Sequence, residues 1–210
     1  MVSVISSMTR IKVCGITSVE DARAAVAAGA EALGLVFYRK SPRFVTVEQA
    51  REIVHSVPPF ITLVGLFVDA SDHEIETVLQ AVPLTLLQFH GREKDSDCRR
   101  WGLRYIKALR VRPEESVEEM AGKYPGACAL LLDTYRKGIP GGTGETFDWQ
   151  LVPPDLSRPV ILAGGLHPDN VADAIQQVAP YAVDVSSGVE RAPGIKDHEK
   201  IEAFAKASGR

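Results

Sequence analysis

Cysteine is scarce in this 210-residue chain: Cys14, Cys98 and Cys128 are too few and too scattered for a disulfide framework or a CxxC metal site. Their odd number fits a reducing compartment, so a cytoplasmic protein is expected. Long hydrophobic runs are missing as well. The most apolar stretch, Phe60 to Val68, is interrupted at Thr62 and Gly65 and falls far short of the roughly 18 residues that span a bilayer. The segment before Arg10 has neither a basic n-region nor an apolar h-region of about 7 residues, which argues against a signal peptide. Basic charge is not in excess: 24 Lys and Arg against 27 Asp and Glu leave a net charge of −3, unsuited to a nucleic-acid partner. The five histidines, at 55, 73, 90, 167 and 198, never pair at i, i+4 and none adjoins a cysteine, so neither a metal nor a cofactor is expected.

What is present is an ordinary globular composition, 45% hydrophobic and 24% charged, arranged with a clear alternation. Short apolar runs, the signature of buried parallel strands, occur at Arg10–Cys14, Ala32–Phe37, Ile61–Val68, Thr85–Phe89, Tyr105–Leu109, Ala127–Asp133, Val160–Ala163 and Ala182–Ser186. Amphipathic stretches fill the gaps. Ser18 is placed to cap the first helix and Gly29 to end it; further helices are expected at Thr46–Ser56, Ser71–Ala81, Lys94–Arg100, Pro113–Lys123, Pro168–Val178 and Asp197–Ala207. Eight such units without a linker predict an α/β protein, a single (β/α)8 TIM barrel over residues 10–210 behind an N-terminal extension of residues 1–9. Met8 is an alternative start. GGTGET at Gly141–Thr146 lies too late to open a dinucleotide-binding βαβ unit.

In such a barrel the chemistry sits where strands end. The first strand ends in KVCG, with Lys12 and Cys14 on one face; a neighbouring ammonium favours the thiolate and makes Cys14 a candidate base or nucleophile, although a free Cys is also a common small core residue. The sixth strand ends in LLLD. Desolvation at the end of so apolar a run favours the protonated form of Asp133, a candidate acid, with a loop-fixing carboxylate as the other reading. Gln88 and His90 share a face, and His90 is placed either to contact substrate or to serve as hydrogen-bonded structure. Asp184, inside the last strand, needs a partner, either a substrate group or Lys12. Glycine and serine in AGG (Ala163, Gly164, Gly165) and SSG (Ser186, Ser187, Gly188) offer backbone N–H groups at the two loops where barrels bind phosphate, with ordinary strand-end turns as the other reading. Arg43 in SPRFV suits a planar carboxylate, or is a solvated surface charge. The glycine-rich stretch from Thr134 to Asp148 (Gly138, Gly141, Gly142, Gly144) is expected to form a lid.

These residues belong to ordered blocks: KVCGIT, GLVFYRKSPRFV, VGLFVD, LLQFHG, LLLDT, GGTGETFDW, LAGGLHPDNV, VDVSSGVE and PGIKDHEKI. From about Arg10 to Phe204 the series resembles the phosphoribosylanthranilate isomerase family of tryptophan biosynthesis. The resemblance implies a cofactor-free barrel that converts N-(5′-phosphoribosyl)anthranilate to 1-(2-carboxyphenylamino)-1-deoxyribulose 5-phosphate by an Amadori rearrangement. It further implies Cys14 as general base, Asp133 as general acid, Arg43 as the carboxylate anchor, and Gly165, Ser187 and Gly188 in the phosphate loops. Asp69 and Phe89 depart from the Asn and Leu common in the family. Partners are expected to be a small-molecule phosphosugar, not nucleic acid or membrane, with the chain a monomer or homodimer. Two rival readings remain, another phosphosugar isomerase and a non-catalytic phosphosugar-binding barrel; the second has no use for a facing thiol and acid.

Overall fold

The computed structural model describes residues 8–134 and 148–210. The expected lid with its four glycines, the GGTGET motif and most of the N-terminal extension therefore lie outside the described residues. Eight parallel strands close into a barrel, paired in chain order with the last returning to the first. They are β1 (Arg10–Cys14), β2 (Ala32–Val36), β3 (Thr62–Phe67), β4 (Leu86–Phe89), β5 (Tyr105–Val111), β6 (Ala129–Thr134), β7 (Val160–Leu162) and β8 (Ala182–Val185). Around them run α1 (Val19–Ala27), α2 (Val47–His55), α3 (Asp72–Ala81), α4 (Asp95–Arg99), α5 (Val117–Gly122), α6 (Val171–Val178) and α7 (His198–Ala207). Among the described residues the β6–β7 connection holds only a 3-10 turn, Trp149–Leu151.

Alternation along each strand sorts side chains into two compartments. One parity, including Val13, Leu33, Leu35, Phe67, Leu87, Leu130, Leu132 and Val183, packs outward against the helices as the main core. There Phe37, Phe67, Phe89 and Tyr105 form a chain of aromatic contacts, with centroids 5.4, 6.2 and 5.9 Å apart, which accounts for the phenyl ring at position 89. The other parity points inward. Ile106, Ala108, Ala129, Leu131, Ile161, Ala163 and Ala182 form one interior cluster, and Cys14, Val36 and Leu66 another. Truncating a fully buried outward residue such as Leu33 to Ala would cost about 2–5 kcal/mol.

Helix starts follow side-chain chemistry. Ser18 caps α1 by accepting from the Asp21 N–H at 3.1 Å, and Gly29 follows its end at φ +97°. Thr46 with Gln49, and Ser71 with Glu74, form reciprocal capping boxes that open α2 and α3. Two expected starts shift. The helix expected from Pro113 begins at Val117, because Ser116 accepts the Glu119 N–H at 3.2 Å. The one expected from Pro168 begins at Val171, because Asn170 turns back: its Oδ1 accepts the His167 N–H at 2.8 Å and its amide donates to Gly165 O at 3.0 Å. Asp69 adopts a left-handed φ of 47°, which Asn and Asp tolerate better than most residues. Between β8 and α7 the chain forms an unforeseen hairpin, β9 (Glu190–Ala192) and β10 (Ile195–Lys196), turning at Gly194 with φ +80°.

Candidate active site

A cavity of about 390 Å³ opens at the C-terminal ends of the strands. Its lining includes eight of the nine expected site residues: Cys14, Arg43, His90, Asp133, Gly164, Gly165, Asp184 and Ser187. Gly188 is the exception. It does not line the cavity but packs so closely on the Leu166 carbonyl that any side chain would collide with it, so its lack of a side chain lets two loops meet.

Cys14 and Lys12 both stand beside Gly34 on the neighbouring strand; a Cβ there would fall 2.7 Å from the Cys14 Sγ and 3.1 Å from the Lys12 Nζ. Lys12 bonds Asp184 Oδ1 at 2.8 Å, consistent with their position as register partners. Lys12 lowers the thiol pKa as expected, but the expectation that the thiolate is favoured overall needs correction. Burial pushes the Cys14 thiol above its ordinary value and outweighs the lowering by Lys12 and Lys196. Lys12 itself is desolvated, yet Asp184 and Cys14 hold its pKa above the ordinary lysine value and keep it charged.

Asp133 lies on β6, three strands from Cys14 around the ring through β7 and β8. Its Oδ1 accepts the Thr134 N–H at 2.9 Å and its Oδ2 lies 3.1 Å from the His90 Nε2. The Gln88 amide nitrogen lies 3.3 Å from the His90 Nδ1. The His90 ring thus bridges the Gln88 amide and the Asp133 carboxyl group. Gln88 Oε1 is buried with no hydrogen-bond partner among the described residues. Gly164 permits this corner, since a Cβ there would press on Thr134 and come within 2.8 Å of Asp133 Oδ1.

Gly164 and Gly165 both hold left-handed φ values, +80° and +70°. Their N–H groups, and that of Ser187, carry no backbone hydrogen bond among the described residues, leaving donors for an anion between the β7 and β8 loops. Arg43 is no solvated surface charge. Its Nε and Nη2 donate to Glu190 Oε1 and Oε2 at 2.7 and 2.8 Å, a two-pronged grip that only a guanidinium makes. Glu190 and Lys196 were missed by sequence reasoning; the Pro193–Gly194 pair between two short alternating segments was the available signal for their hairpin. Tyr38, Lys40 and Arg110 also line the cavity, Arg110 by sharing the inward parity of Ile106 and Ala108.

Residues 11–207 match the family described as N-(5′phosphoribosyl)anthranilate (PRA) isomerase. N-(5′-phosphoribosyl)anthranilate isomerase of Pseudomonas fluorescens (strain Pf0-1) is 61% identical over 201 residues, covering 96% of this chain and 98% of that one. The crystal structure of phosphoribosyl anthranilate isomerase from Thermotoga maritima is 44% identical with a TM-score of 0.87, covering 96% and 98% of the two chains. A phosphoribosyl anthranilate isomerase solved in complex with reduced 1-(o-carboxyphenylamino)-1-deoxyribulose 5-phosphate is 43% identical with a TM-score of 0.85, again covering 96% and 98%. With the barrel and its cavity already in place, these matches assign the chain: it belongs to the N-(5′-phosphoribosyl)anthranilate isomerase family.

Proposed function

We propose that the chain converts N-(5′-phosphoribosyl)anthranilate to 1-(2-carboxyphenylamino)-1-deoxyribulose 5-phosphate, with Asp133 as acid and Cys14 as base. The observation that carries this reading is that the thiol and the carboxyl group line one cavity from separate strands of the barrel. Asp133 protonates the furanose ring oxygen, the C1′–O bond breaks and the nitrogen lone pair forms an iminium. The iminium acidifies the C2′ hydrogen, which the Cys14 thiolate removes to give an enolamine; tautomerisation yields the ketone. A cation generated inside the cavity also favours the thiolate beside it, which offsets the desolvation that disfavours the thiolate in the empty site. His90, hydrogen-bonded to Asp133 and itself held by Gln88, fixes the carboxyl group. The phosphate takes the N–H groups of Gly164, Gly165 and Ser187, and Arg43 takes the anthranilate carboxylate. Anchoring both ends of the substrate makes positioning a large part of the rate enhancement. Asp184, paired with Lys12 at 2.8 Å, presents its carboxylate to the ribose hydroxyls.

A small-molecule substrate is sufficient, and so is a monomer or homodimer, because every residue invoked comes from one chain. No helix among the described residues is long and apolar enough to cross a membrane. A cytoplasmic location is supported by three cysteines that are all free. The test follows loss of substrate fluorescence with purified wild type, Cys14→Ala and Asp133→Asn. Wild type is expected to turn over, and each variant to lose at least about 10²-fold in kcat. Turnover at wild-type rates in both variants would overturn the mechanism.

A further inference from the structure

The β9–β10 hairpin supplies no group to the proton transfers, yet it is bonded to the elements that do. Arg43 places its Nε and Nη2 on Glu190 at 2.7 and 2.8 Å while still lining the cavity. Glu190 Oε1 also accepts from the Lys196 Nζ at 3.0 Å. Lys196 spends its remaining hydrogens on two carbonyls, Cys14 O at 2.7 Å and Ser186 O at 3.1 Å, so its three donors meet three acceptors. The side chains of Lys196 and Glu190 are only 0% and 5% exposed. The hairpin is held from outside by Thr17, which donates to Gly194 O at 2.6 Å, and by Lys200, which donates to Glu190 O at 2.9 Å.

Burying charge in this way is a poor route to stability, since apolar side chains of similar volume usually do as well. What the arrangement does fix is direction. A free Arg side chain carries about 2 kcal/mol of rotamer entropy, and the Glu190 fork removes that freedom before any ligand arrives. Arg43 and Glu190 together would present almost no net charge to a carboxylate; with Lys196 the group of three keeps one excess positive charge. The bonds to Cys14 O and Ser186 O set that group in the same frame as the thiol and the β8 loop.

We propose that Glu190, backed by Lys196, is a positioning residue that aims Arg43 at the carboxylate of the substrate. The proposal rests on the reading of Arg43 as that anchor, and the experiment separates the two. Steady-state kinetics are measured for wild type, Arg43→Met, Glu190→Gln and the double variant, with thermal unfolding recorded for each. Arg43→Met is expected to raise KM about tenfold or more, the scale of a lost charge-assisted pair, with a smaller change in kcat. Glu190→Gln keeps an acceptor for Lys196 but loses the charge that grips Arg43; KM is expected to rise about tenfold, as for a misaligned binding group. In the Arg43→Met background the same substitution is expected to change KM less than about twofold. If charge alone mattered, Glu190→Gln would lower KM, because it leaves two cations uncompensated.

A lowered or unchanged KM, or an equal rise whether or not Arg43 is present, overturns the positioning role while leaving the anchor reading in place. An unchanged KM in Arg43→Met overturns both. Glu190→Asp runs alongside: it keeps the charge for Lys196 and withdraws it from the guanidinium by one methylene. It is expected to raise KM with the wild-type unfolding midpoint nearly retained, so the geometry is read even if the neutral variant fails to fold.

Discussion

Two lysine–carboxylate pairs lie on opposite faces of the same barrel wall, and by distance and burial they are almost the same. Lys12 and Asp184, inside, are 2.8 Å apart with side chains 3% and 9% exposed; Lys107 and Glu93, outside, are 2.7 Å apart at 2% and 9%. They differ in what is left over. Lys107 also donates to Gly91 O at 2.8 Å and lies 5.1 Å from the Tyr124 ring centroid. Glu93 spends its other oxygen on the N–H groups of Asp69 and Gly91, at 2.8 and 3.1 Å. That pair is closed by its own chain and holds the β4 loop to β5. Asp184 lines the cavity, its Oδ2 without a hydrogen-bond partner among the described residues, and Lys12 stands beside the Cys14 thiol. Unspent hydrogen-bonding capacity facing a cavity, rather than burial or pairing, separates a site from a brace.

The largest effect that would break this contrast is on stability. Lys107→Met leaves the Glu93 charge buried without its partner, and the unfolding free energy measured in urea is expected to fall by about 3–5 kcal/mol. Activity per folded molecule is expected to stay at the wild-type level, since no residue of the cavity is touched. A variant that keeps its stability and loses turnover would place the outer pair in the catalytic machinery.

A second effect concerns the inner pair and has opposite signs in its two partners. Burial pushes the Cys14 thiol up, Lys12 lowers it and Asp184 raises it. Alkylation of Cys14 by iodoacetamide requires the thiolate, so its rate is expected to climb with pH beyond the ordinary thiol value of about 8.5. Removing the cation in Lys12→Met is expected to move that limb to higher pH, and removing the anion in Asp184→Asn to lower pH. Displacing the limb by one pH unit changes the rate at neutral pH about tenfold. Displacements in the same direction would show that cavity hydration, not these charges, governs the thiol.

The barrel was legible because strand parity and turn residues are local. Val13 between Lys12 and Cys14, or Leu132 between Leu131 and Asp133, declares which side chain faces inward without any knowledge of the partner strand. The same parity brought Cys14, His90, Asp133 and Asp184 into one cavity. The Arg43–Glu190 pair was not legible, because its members are 147 residues apart and Lys196 meets Cys14 across 182. Nor was the sign at Cys14, where the proximity of Lys12 could be read from spacing but the depth of burial could not. The contact of Gly188 with Leu166 was not legible for a related reason, since only the folded chain brings the two near.

The smallest expected effect sharpens the comparison at the outer pair. In Lys107→Met with Glu93→Gln, the glutamine carbonyl still accepts from Asp69 and Gly91 N–H, as the Glu93 Oε1 does now. No charge is then left buried alone, so the double variant is expected to regain about 1–2 kcal/mol over Lys107→Met, measured by the same urea unfolding. The regain is partial because Gly91 O has lost its donor and the Gln amide takes the place of a carboxylate that had one. Full additivity of the two losses would mean that the pair contributes through its separate backbone bonds rather than as an ion pair. It would also leave the closed outer pair without the internal compensation that distinguishes it from the open one in the cavity.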